Sequence, residues 1–334
     1  MNWGLVGCGV IGERRALNLP EGVRLSHVFD PATDRAEKIA NQVGAKVCAS
    51  LDELVKSSVE AVVIAGVNSS LTPSAQALLS SGRHVLIEKP AARNYAELST
   101  LKNPQGKQIK IGFNHRFHPA YKALRERLKA RPEDPIMFIR AQYGNGARLG
   151  FDKEWRSNPV ISGGGELLDQ GVHVLDLASG LMNDLKVKTS FVKTHFWKMP
   201  VDDNAWAILE DKNGSTCSIH VSSTEWKNEF RFEVYTRFTK YQWLGLGRSY
   251  GPEKLLIYKM KPEMGPPDFE EINFPPEDLS WKLENQNFMD AILGKSKIDG
   301  GFEDGLKSLS LVQDIYEISS RLQEGRPHPE WMKS

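Results

Sequence analysis

The sequence predicts two folding units: a doubly wound α/β domain built on a parallel sheet, followed by an α+β domain with a mostly antiparallel open sheet. In the first third of the chain, short apolar runs alternate with amphipathic helical stretches, which is typical of parallel strands covered on both faces. After about Gly112 apolar residues recur with period two, which indicates strands with one polar face. A length of 334 residues also favours two domains over one.

Four apolar runs mark strands of the first domain. They begin at Leu5, Arg24, Ala61 and His84, and the helical stretches DRAEKIANQV and SAQALLSSG follow the second and third. Such helices are required because the chain must return to the same edge of a parallel sheet before the next strand begins.

Alternating residues mark two strands of the second domain, at 136–143 and 230–235. The Pro- and Gly-rich stretch 251–276 is predicted to be a loop. Two helices close the chain. The first carries the apolar residues Trp281, Phe288 and Ile292; the second carries Leu306, Leu309, Val312, Ile315 and Leu322 and is predicted to end at Gly325 and Pro327.

The composition excludes several classes of protein. Lys and Arg number 43 against 42 Asp and Glu, and no basic run is long enough to follow a phosphate backbone, so nucleic acid is not expected as a partner. Cys8, Cys48 and Cys217 are widely separated and indicate neither a disulfide framework nor a zinc site. The longest uncharged stretch, 61–82, is interrupted by polar residues, so no membrane segment is expected. A cytoplasmic location is therefore predicted.

A GxGxxG motif lies between the first apolar strand and a helical stretch. Its glycines allow a tight turn and the close approach of a pyrophosphate, and the following helix offers N–H donors. A carboxylate 18 residues further on matches the usual position of the ribose-binding acid. Because this carboxylate would repel the 2′-phosphate of NADP, NAD is favoured as the cofactor. The alternative interpretation of the motif is a glycine-rich turn without a ligand. The residues predicted to bind the cofactor here are Gly7, Gly9, Val10, Ile11, Gly12 and Asp30.

Lys89 follows another predicted strand, in HVLIEKP. It would lie at the edge of the sheet where open α/β folds bind their ligands. The simpler interpretation is an exposed lysine beside a turn.

The segment SGGGELLDQGVHVLDL contains ionisable residues among apolar ones. Asp169, His173 and Asp176 recur at i, i+4 and i+7, which places them on one face of an α-helix behind a flexible glycine entry at 163–165. A carboxylate one turn from an imidazole can orient it as a base. A structural ion pair and a metal site are the alternatives, although no further ligand cluster supports a metal.

Together these motifs resemble a known family. GCGVIG, EKP at 88–90, GFNHRFHPAY at 112–121, WR at 155–156 and GGGELLDQGVH occur in the order found in glucose-fructose oxidoreductase, inositol dehydrogenase and related sugar dehydrogenases of the Gfo/Idh/MocA type. The resemblance implies an NAD-binding Rossmann domain at 1–118 and a substrate-binding and oligomerisation domain at 119–334. It also implies a homodimer or homotetramer formed through the sheets.

The resemblance further implies roles for individual residues. Lys89 is expected near the reacting hydroxyl, and Asp169 and His173 at the substrate, with His173 as the acid/base. Asn68 corresponds to a cofactor-proximal asparagine in the loop after the fourth strand. The other positions expected to line the cofactor or substrate cleft are Glu88, Asn114, Arg116, Trp155 and Arg156.

The chain departs from the family pattern at three places. Leu71 stands where many relatives carry histidine, Gly66 replaces threonine, and TRFTKYQW lacks the usual glycine turn. The loop from Tyr143 to Lys153, with Arg148, is predicted to shape the substrate site, where arginine would suit a carboxylate or phosphate of the substrate. The alternative is that the arginine charge is simply exposed to solvent.

The residues and the resemblance together predict an NAD-dependent dehydrogenase that acts on a secondary alcohol of a sugar, cyclitol or nucleotide-linked sugar, without a metal. One alternative is an NAD-dependent glycosidase that works by transient oxidation and elimination. Another is a non-catalytic dinucleotide-binding regulator. The combination of Lys89, Asp169 and His173 argues against the regulator, because a sensor needs no acid/base set.

Overall fold

The computed structural model describes residues 1–323, which divide into two compact units. The first unit comprises residues 1–117, 160–163 and 279–306, and the second comprises 118–159, 164–278 and the described residues from 307 onward. The predicted end of the last helix, at Gly325 and Pro327, lies outside the described residues.

The strands are β1 (Asn2–Val6), β2 (Arg24–Phe29), β3 (Lys46–Val47), β4 (Ala61–Ile64), β5 (His84–Glu88), β6 (Ile109–Gly112), β7 (Ile136–Gly144), β8 (Lys186–Lys193), β9 (Asn204–Glu210), β10 (Thr216–Ser222), β11 (Glu229–Thr236), β12 (Thr239–Leu244), β13 (Lys254–Lys259) and β14 (Asp268–Asn273). The α-helices are α1 (Val10–Leu17), α2 (Thr33–Val43), α3 (Leu51–Lys56), α4 (Asn68–Ser80), α5 (Tyr95–Ser99), α6 (Pro119–Lys129), α7 (Pro159–Ser162), α8 (Val172–Ser179), α9 (Ser280–Ile292) and α10 (Phe302–Gln323). The two predicted closing helices correspond to α9 and α10.

The first unit contains a six-stranded parallel sheet in the order β3-β2-β1-β4-β5-β6. The order reverses between β1 and β4, and open α/β sheets bind their ligands at the carboxyl ends of the strands that flank such a reversal. The predicted doubly wound domain is thereby confirmed. The sequence analysis missed β3 and β6.

Helix α9 belongs to the first unit rather than the second. Phe288 is fully buried in the core beneath the parallel sheet, and its ring lies edge-on to that of Trp3 with centroids 5.3 Å apart. The predicted range 119–334 for the second domain therefore needs correction, because 160–163 and 279–306 pack with the first unit. Burial of one large aromatic ring of this kind contributes about 2–3 kcal/mol.

The second unit contains an eight-stranded sheet in the order β14-β13-β12-β11-β7-β10-β9-β8. All neighbours are antiparallel except β7 and β10. Along β7, Ile139, Ala141 and Tyr143 are buried whereas Phe138 and Arg140 are exposed. This alternation confirms the predicted mostly antiparallel open sheet.

The predicted loop 251–276 is wrong, because β13 and β14 lie within it. Leu255, Leu256 and Ile257 are buried on β13, so their apolar area stabilises a strand between turn-forming neighbours. The proline and glycine residues that suggested a loop flank these two strands instead.

The turn between β11 and β12 is held without glycine. The carboxylate of Asp134 accepts hydrogen bonds from Thr236 Oγ1 at 2.8 Å, Phe238 N at 3.0 Å and Thr239 Oγ1 at 3.3 Å. A buried carboxylate therefore holds this turn. Within residues 1–323, no helix is long and apolar enough to cross a membrane.

Candidate functional site

The glycine-rich turn between β1 and α1 requires its glycines for different reasons. Gly7 has a φ of +90°, and a Cβ there would lie 2.5 Å from the carbonyl carbon of Ala65 at the end of β4. A Cβ on Gly12 would lie 2.0 Å from the carbonyl oxygen of Gly7. Gly9 precedes α1, and a Cβ there would meet no described atom within 4 Å. The turn is therefore packed at Gly7 and Gly12 and open at Gly9.

Asp30, directly after β2, is tied to this turn. Its Oδ2 accepts from the backbone N–H of Cys8 at 2.7 Å, and its Oδ1 accepts from the N–H of Ala32 at 2.8 Å. A carboxylate oxygen has two lone pairs, so each keeps capacity for a ligand hydroxyl. The structure thus brings the predicted ribose-binding residue to the predicted pyrophosphate turn.

These features fit a dinucleotide. The open space at Gly9 faces the start of α1, where free N–H groups and the helix dipole favour a pyrophosphate, and Asp30 suits a ribose diol. Val10, in the first turn of α1, is 71% exposed, and Ile11 is half-buried. Their contacts with the cofactor stay a prediction.

Lys89 follows β5 at the carboxyl edge of the parallel sheet, as predicted, and its side chain is half-buried. The Lys89–Pro90 peptide bond is cis, and Pro90 ends the strand. Since Gly7, Asp30 and Lys89 all follow parallel strands, all three lie at the same edge of one sheet.

Glu88, which is predicted to bind the cofactor, is buried beside Arg15. It is 5% exposed, and its Oε1 accepts from Arg15 Nε at 2.6 Å. Arg15 also pairs through Nη2 with Glu284 Oε2 at 2.6 Å and donates from Nη1 to Asn285 Oδ1 at 3.1 Å. Glu88 therefore belongs to a buried ion cluster that joins α1, β5 and α9, and its contact with the cofactor stays a prediction.

Lys110 on β6 extends this cluster. Its side chain is fully buried, and Nζ lies 3.9 Å from Glu284 Oε1 and 3.2 Å from Asn287 Oδ1. Burial lowers the pKa of Lys110 to about 8. Burial also raises the pKa of Glu284, an effect that the charge of Arg15 opposes.

Asn68 is the first residue of α4 rather than part of a loop. The loop predicted after the fourth strand is therefore shorter, because α4 begins at Asn68 and includes Pro73. The side chain is 7% exposed and donates from Nδ2 to the carbonyl of Ser162 at 2.8 Å. Its amide is thus engaged with α7, and contact with the cofactor stays a prediction.

Asn114 and Arg116 lie on a short 3₁₀ turn after β6 and are almost fully buried. Asn114 donates from Nδ2 to Ser280 Oγ at 2.9 Å. Arg116 pairs with Asp299 at 2.8 Å and with Asp304 at 2.9 Å. These contacts anchor α9 and the start of α10, so a role of either residue in substrate binding stays a prediction without direct support.

The second unit carries Asp169 and His173. The predicted single α-helix is wrong here, because Leu167–Gly171 form a π-helical turn before α8 begins at Val172. Asp169 lies on this wider turn, so the i, i+4 geometry of an α-helix does not apply to the pair. Turns of this kind occur frequently at functional sites.

The two side chains have different surroundings. Asp169 is half-buried, and its Oδ2 accepts from Arg156 Nε at 3.2 Å. His173 is 3% exposed, and its ring centroid lies 6.4 Å from that of Tyr143. Asp176, one turn later, is 1% exposed. Asp169 is therefore oriented by a guanidinium, a contact that the sequence analysis did not predict.

The three glycines at 163–165 are sites of close packing rather than a flexible entry. Gly163 has a φ of +84°. A Cβ on Gly164 would lie 2.5 Å from Tyr316 Oη, and one on Gly165 would lie 2.0 Å from the carbonyl oxygen of Asp202. Side chains are excluded here because other residues approach the backbone.

Trp155 and Arg156 lie on a 3₁₀ turn of the second unit, both half-buried. The guanidinium carbon of Arg156 is 4.6 Å from the Trp155 ring centroid, a distance typical of cation–π contact. Glu154 lies 3.7 Å from Arg156 and 2.6 Å from Arg148. Arg148 is thus already paired with a carboxylate at the surface, which weakens its predicted selection of an anionic substrate.

Tyr250, which the sequence analysis did not consider, lies beside Tyr143. Its ring centroid lies 5.5 Å from that of Tyr143. Burial, together with the charges of Glu166 and Asp169, raises the pKa of Tyr250 to about 12. Burial likewise raises the pKa of Tyr143. The signal available in the sequence was the pair of glycines at 247 and 251, both with positive φ, which bracket Tyr250.

Comparisons with known proteins agree with this geometry. Residues 1–112 match the model of the oxidoreductase family with an NAD-binding Rossmann fold, and residues 121–238 match the GFO/IDH/MocA C-terminal domain. Glucose-6-phosphate 3-dehydrogenase of Bacillus subtilis (strain 168) is 23% identical over 344 residues, which cover 96% of this chain and 97% of that protein. Inositol 2-dehydrogenase 2 of Saccharopolyspora erythraea is 24% identical over 233 residues, covering 66% of each chain.

A solved structure shares the whole fold. Levoglucosan dehydrogenase, in complex with NADH and levoglucosan, has a TM-score of 0.87 at 19% identity, covering 96% of this chain and 97% of that chain. The two matched domain models together span most of the chain and follow one another in the order that the motifs predicted. The chain therefore belongs to the GFO/IDH/MocA family of NAD-binding oxidoreductases.

Proposed function

We propose that the protein is an NAD-dependent dehydrogenase that transfers a hydride between nicotinamide and a secondary alcohol of a sugar, cyclitol or nucleotide-linked sugar. The observation that carries the proposal is the Asp30 carboxylate bound to the glycine-rich turn, in a chain that also retains Lys89, Asp169 and His173. A turn of this kind holds a dinucleotide, and the other three residues supply what alcohol oxidation requires of a protein.

The glycine-rich turn and Asp30 would hold NAD, which when bound would supply the acceptor for the hydride of the carbinol carbon. His173 takes the proton of the reacting hydroxyl as a general base, a contribution of about 10²–10⁴ in rate. Lys89 stabilises the alkoxide that develops on the same oxygen, because its ammonium makes a charge-assisted hydrogen bond there. Asp169, oriented by Arg156, accepts a hydrogen bond from a neighbouring hydroxyl of the substrate.

The relatives support the substrate class. Their names describe dehydrogenases of a sugar phosphate, a cyclitol and an anhydrosugar, which share a ring bearing adjacent secondary alcohols. We further propose a cytoplasmic homodimer or homotetramer without nucleic acid or membrane partners, in line with the sequence expectations.

A substrate screen tests the proposal. The protein is incubated with NAD and a panel of free sugars, sugar phosphates, cyclitols and nucleotide sugars, and NADH is followed by its absorbance. We expect NADH from at least one member of the panel, and a strongly reduced rate in His173→Ala with NAD binding retained. NAD binding without NADH formation from any member of the panel would contradict a dehydrogenase.

The glycosidase alternative is tested in the same preparation. An aryl glycoside that releases its phenol with NAD bound, and without net NADH, would replace the dehydrogenase proposal with transient oxidation and elimination. If the protein is a dehydrogenase, we expect NADH to form in proportion to the sugar oxidised and no phenol to be released.

A further inference from the structure

Asp202 binds the start of the helical segment that carries Asp169 and His173. It lies between β8 and β9 and is 6% exposed. Its Oδ1 accepts from Gly165 N at 3.0 Å, its Oδ2 accepts from Leu167 N at 2.8 Å, and its carbonyl accepts from Glu166 N at 2.9 Å. One residue therefore accepts hydrogen bonds from three consecutive N–H groups at the start of the segment, where the first turn of a helix needs acceptors from outside the helix.

Tyr316, on α10, holds this carboxylate from another side. Its hydroxyl donates to Asp202 Oδ1 at 2.6 Å, a short bond to a buried carboxylate. The hydroxyl oxygen also lies 3.3 Å from Gly165 N, which donates to it. Burial raises the pKa of Asp202, and the bonds from Tyr316 and the backbone oppose that rise. The donors thus compensate for desolvation of the carboxylate.

The glycines at 164 and 165 make this arrangement sterically possible. A Cβ on Gly164 would lie 2.5 Å from Tyr316 Oη, and a Cβ on Gly165 would lie 2.0 Å from Asp202 O. The glycine run that the sequence analysis interpreted as a flexible entry is therefore the surface on which Asp202 and Tyr316 pack.

The anchoring reaches Asp169 through the backbone. Asp169 N donates to Gly165 O at 2.9 Å, so the residue that Asp202 binds also accepts a backbone bond from Asp169. His173 follows four residues later, after the π-helical turn. Catalytic groups must be held to within about 0.5 Å, so displacement of Gly165 would be transmitted to both side chains.

We propose that Asp202, held by Tyr316, is a positioning residue for the reaction, which fixes the first turn of the segment that presents Asp169 and His173. The inference rests on the proposed function, in which Asp169 and His173 serve the substrate. Asp202 acts through the backbone of residues 165–169 and not on the reacting atoms.

Asp203 provides a matched control. It is fully buried, and its carboxylate binds three backbone N–H groups, whereas that of Asp202 binds two: the donors are His195 at 2.7 Å, Phe196 at 2.7 Å and Trp197 at 3.0 Å. These belong to the turn after β8 and not to the helical segment. Asp202→Asn and Asp203→Asn therefore remove the same chemistry from adjacent positions but loosen different stretches of backbone.

The experiment compares Asp202→Asn, Asp203→Asn and Tyr316→Phe in the full chain. We expect both asparagine variants to lower the midpoint of chemical unfolding. Only Asp202→Asn should lower kcat, by at least about tenfold, with the Kd for NAD changed less than about twofold. Tyr316→Phe removes one hydrogen bond and leaves the carboxylate, so it should lower kcat in the same direction but less. It also serves as the milder variant if Asp202→Asn does not fold.

Hydrogen exchange gives a readout that does not depend on turnover. Asp202→Asn should accelerate exchange of the amides at 165–169, whereas Asp203→Asn should accelerate those at 195–197. Unchanged exchange at 165–169 in Asp202→Asn and in Tyr316→Phe would overturn the anchoring. An equal loss of kcat in Asp203→Asn would overturn the positioning role, because general destabilisation would then explain both variants. Wild-type protein that binds NAD but oxidises no substrate would instead overturn the proposed function, so the two failures are distinguishable.

Discussion

Arg15 donates from Nε to Oε1 of Glu88 at 2.6 Å, with its side chain fully buried. The pair joins the helix that follows the glycine-rich turn to the residue immediately before Lys89. Glu284 of α9 contacts the same guanidinium. The predicted pyrophosphate site and the predicted catalytic lysine are therefore linked through one buried ion cluster within the first unit.

The first prediction concerns the stability of this cluster. Arg15→Met removes the cation shared by two buried glutamates, and breaking a buried pair in this way costs about 3–5 kcal/mol of unfolding free energy. Chemical unfolding should show this loss. Lys38→Met is the control, because it breaks the exposed contact with Glu13 and should change stability little. Equal losses in the two variants would contradict a stabilising role of the buried cluster.

The second prediction concerns pH. Because burial lowers the pKa of Lys110 to about 8 from its ordinary value of 10.5, the unfolded chain binds more protons at this residue than the folded chain between those values. The contribution of Lys110 to stability therefore rises as the pH increases through this window. Unfolding free energies of wild type and Lys110→Met, measured from about pH 7.5 to about pH 10, should diverge in favour of the wild type.

Lys38→Met is again the control, since Lys38 is exposed and its replacement should leave the pH profile parallel to that of the wild type. Parallel profiles for wild type and Lys110→Met would mean that Lys110 titrates normally in the folded protein.

The third prediction concerns the choice of cofactor. Asp30 should accept hydrogen bonds from the adenosine ribose and repel a 2′-phosphate, so NAD should bind more tightly than NADP, and Asp30→Ala should narrow the difference. Asp30 also holds Cys8 N, so the variant should weaken NAD binding as well. Calorimetry on both nucleotides measures this, and tighter binding of NADP to the wild type would refute the assignment.

Local patterns in the sequence were sufficient for most of the fold. Strands β1, β4 and β5 are mostly apolar runs, and their burial on both faces explains why they were recognisable. Strand β6 was missed because it contains Lys110, whose burial depends on Glu284 far along the chain. Strand β3 has only two residues, too few for any periodic signal.

The candidate site was predictable where residue type alone decides the chemistry. The glycines of the turn and Asp30 fall in this class. Glu88 does not fall in this class, because its contact with Arg15 depends on tertiary packing. The role of Gly164 and Gly165 also depends on which residues approach them, so the sequence alone suggested flexibility where the structure has close contact.

The most direct test of the proposed dehydrogenase is turnover by Lys89→Met with an identified substrate. Methionine keeps much of the volume of the lysine side chain and removes its charge, so folding and NAD binding should be retained while the developing alkoxide loses its charged partner. We predict a fall in kcat of about 10²-fold or more, with the Kd for NAD changed less than about threefold. Turnover near that of the wild type would show that Lys89 is a residue at the end of a strand without a catalytic role, and would contradict the proposed mechanism.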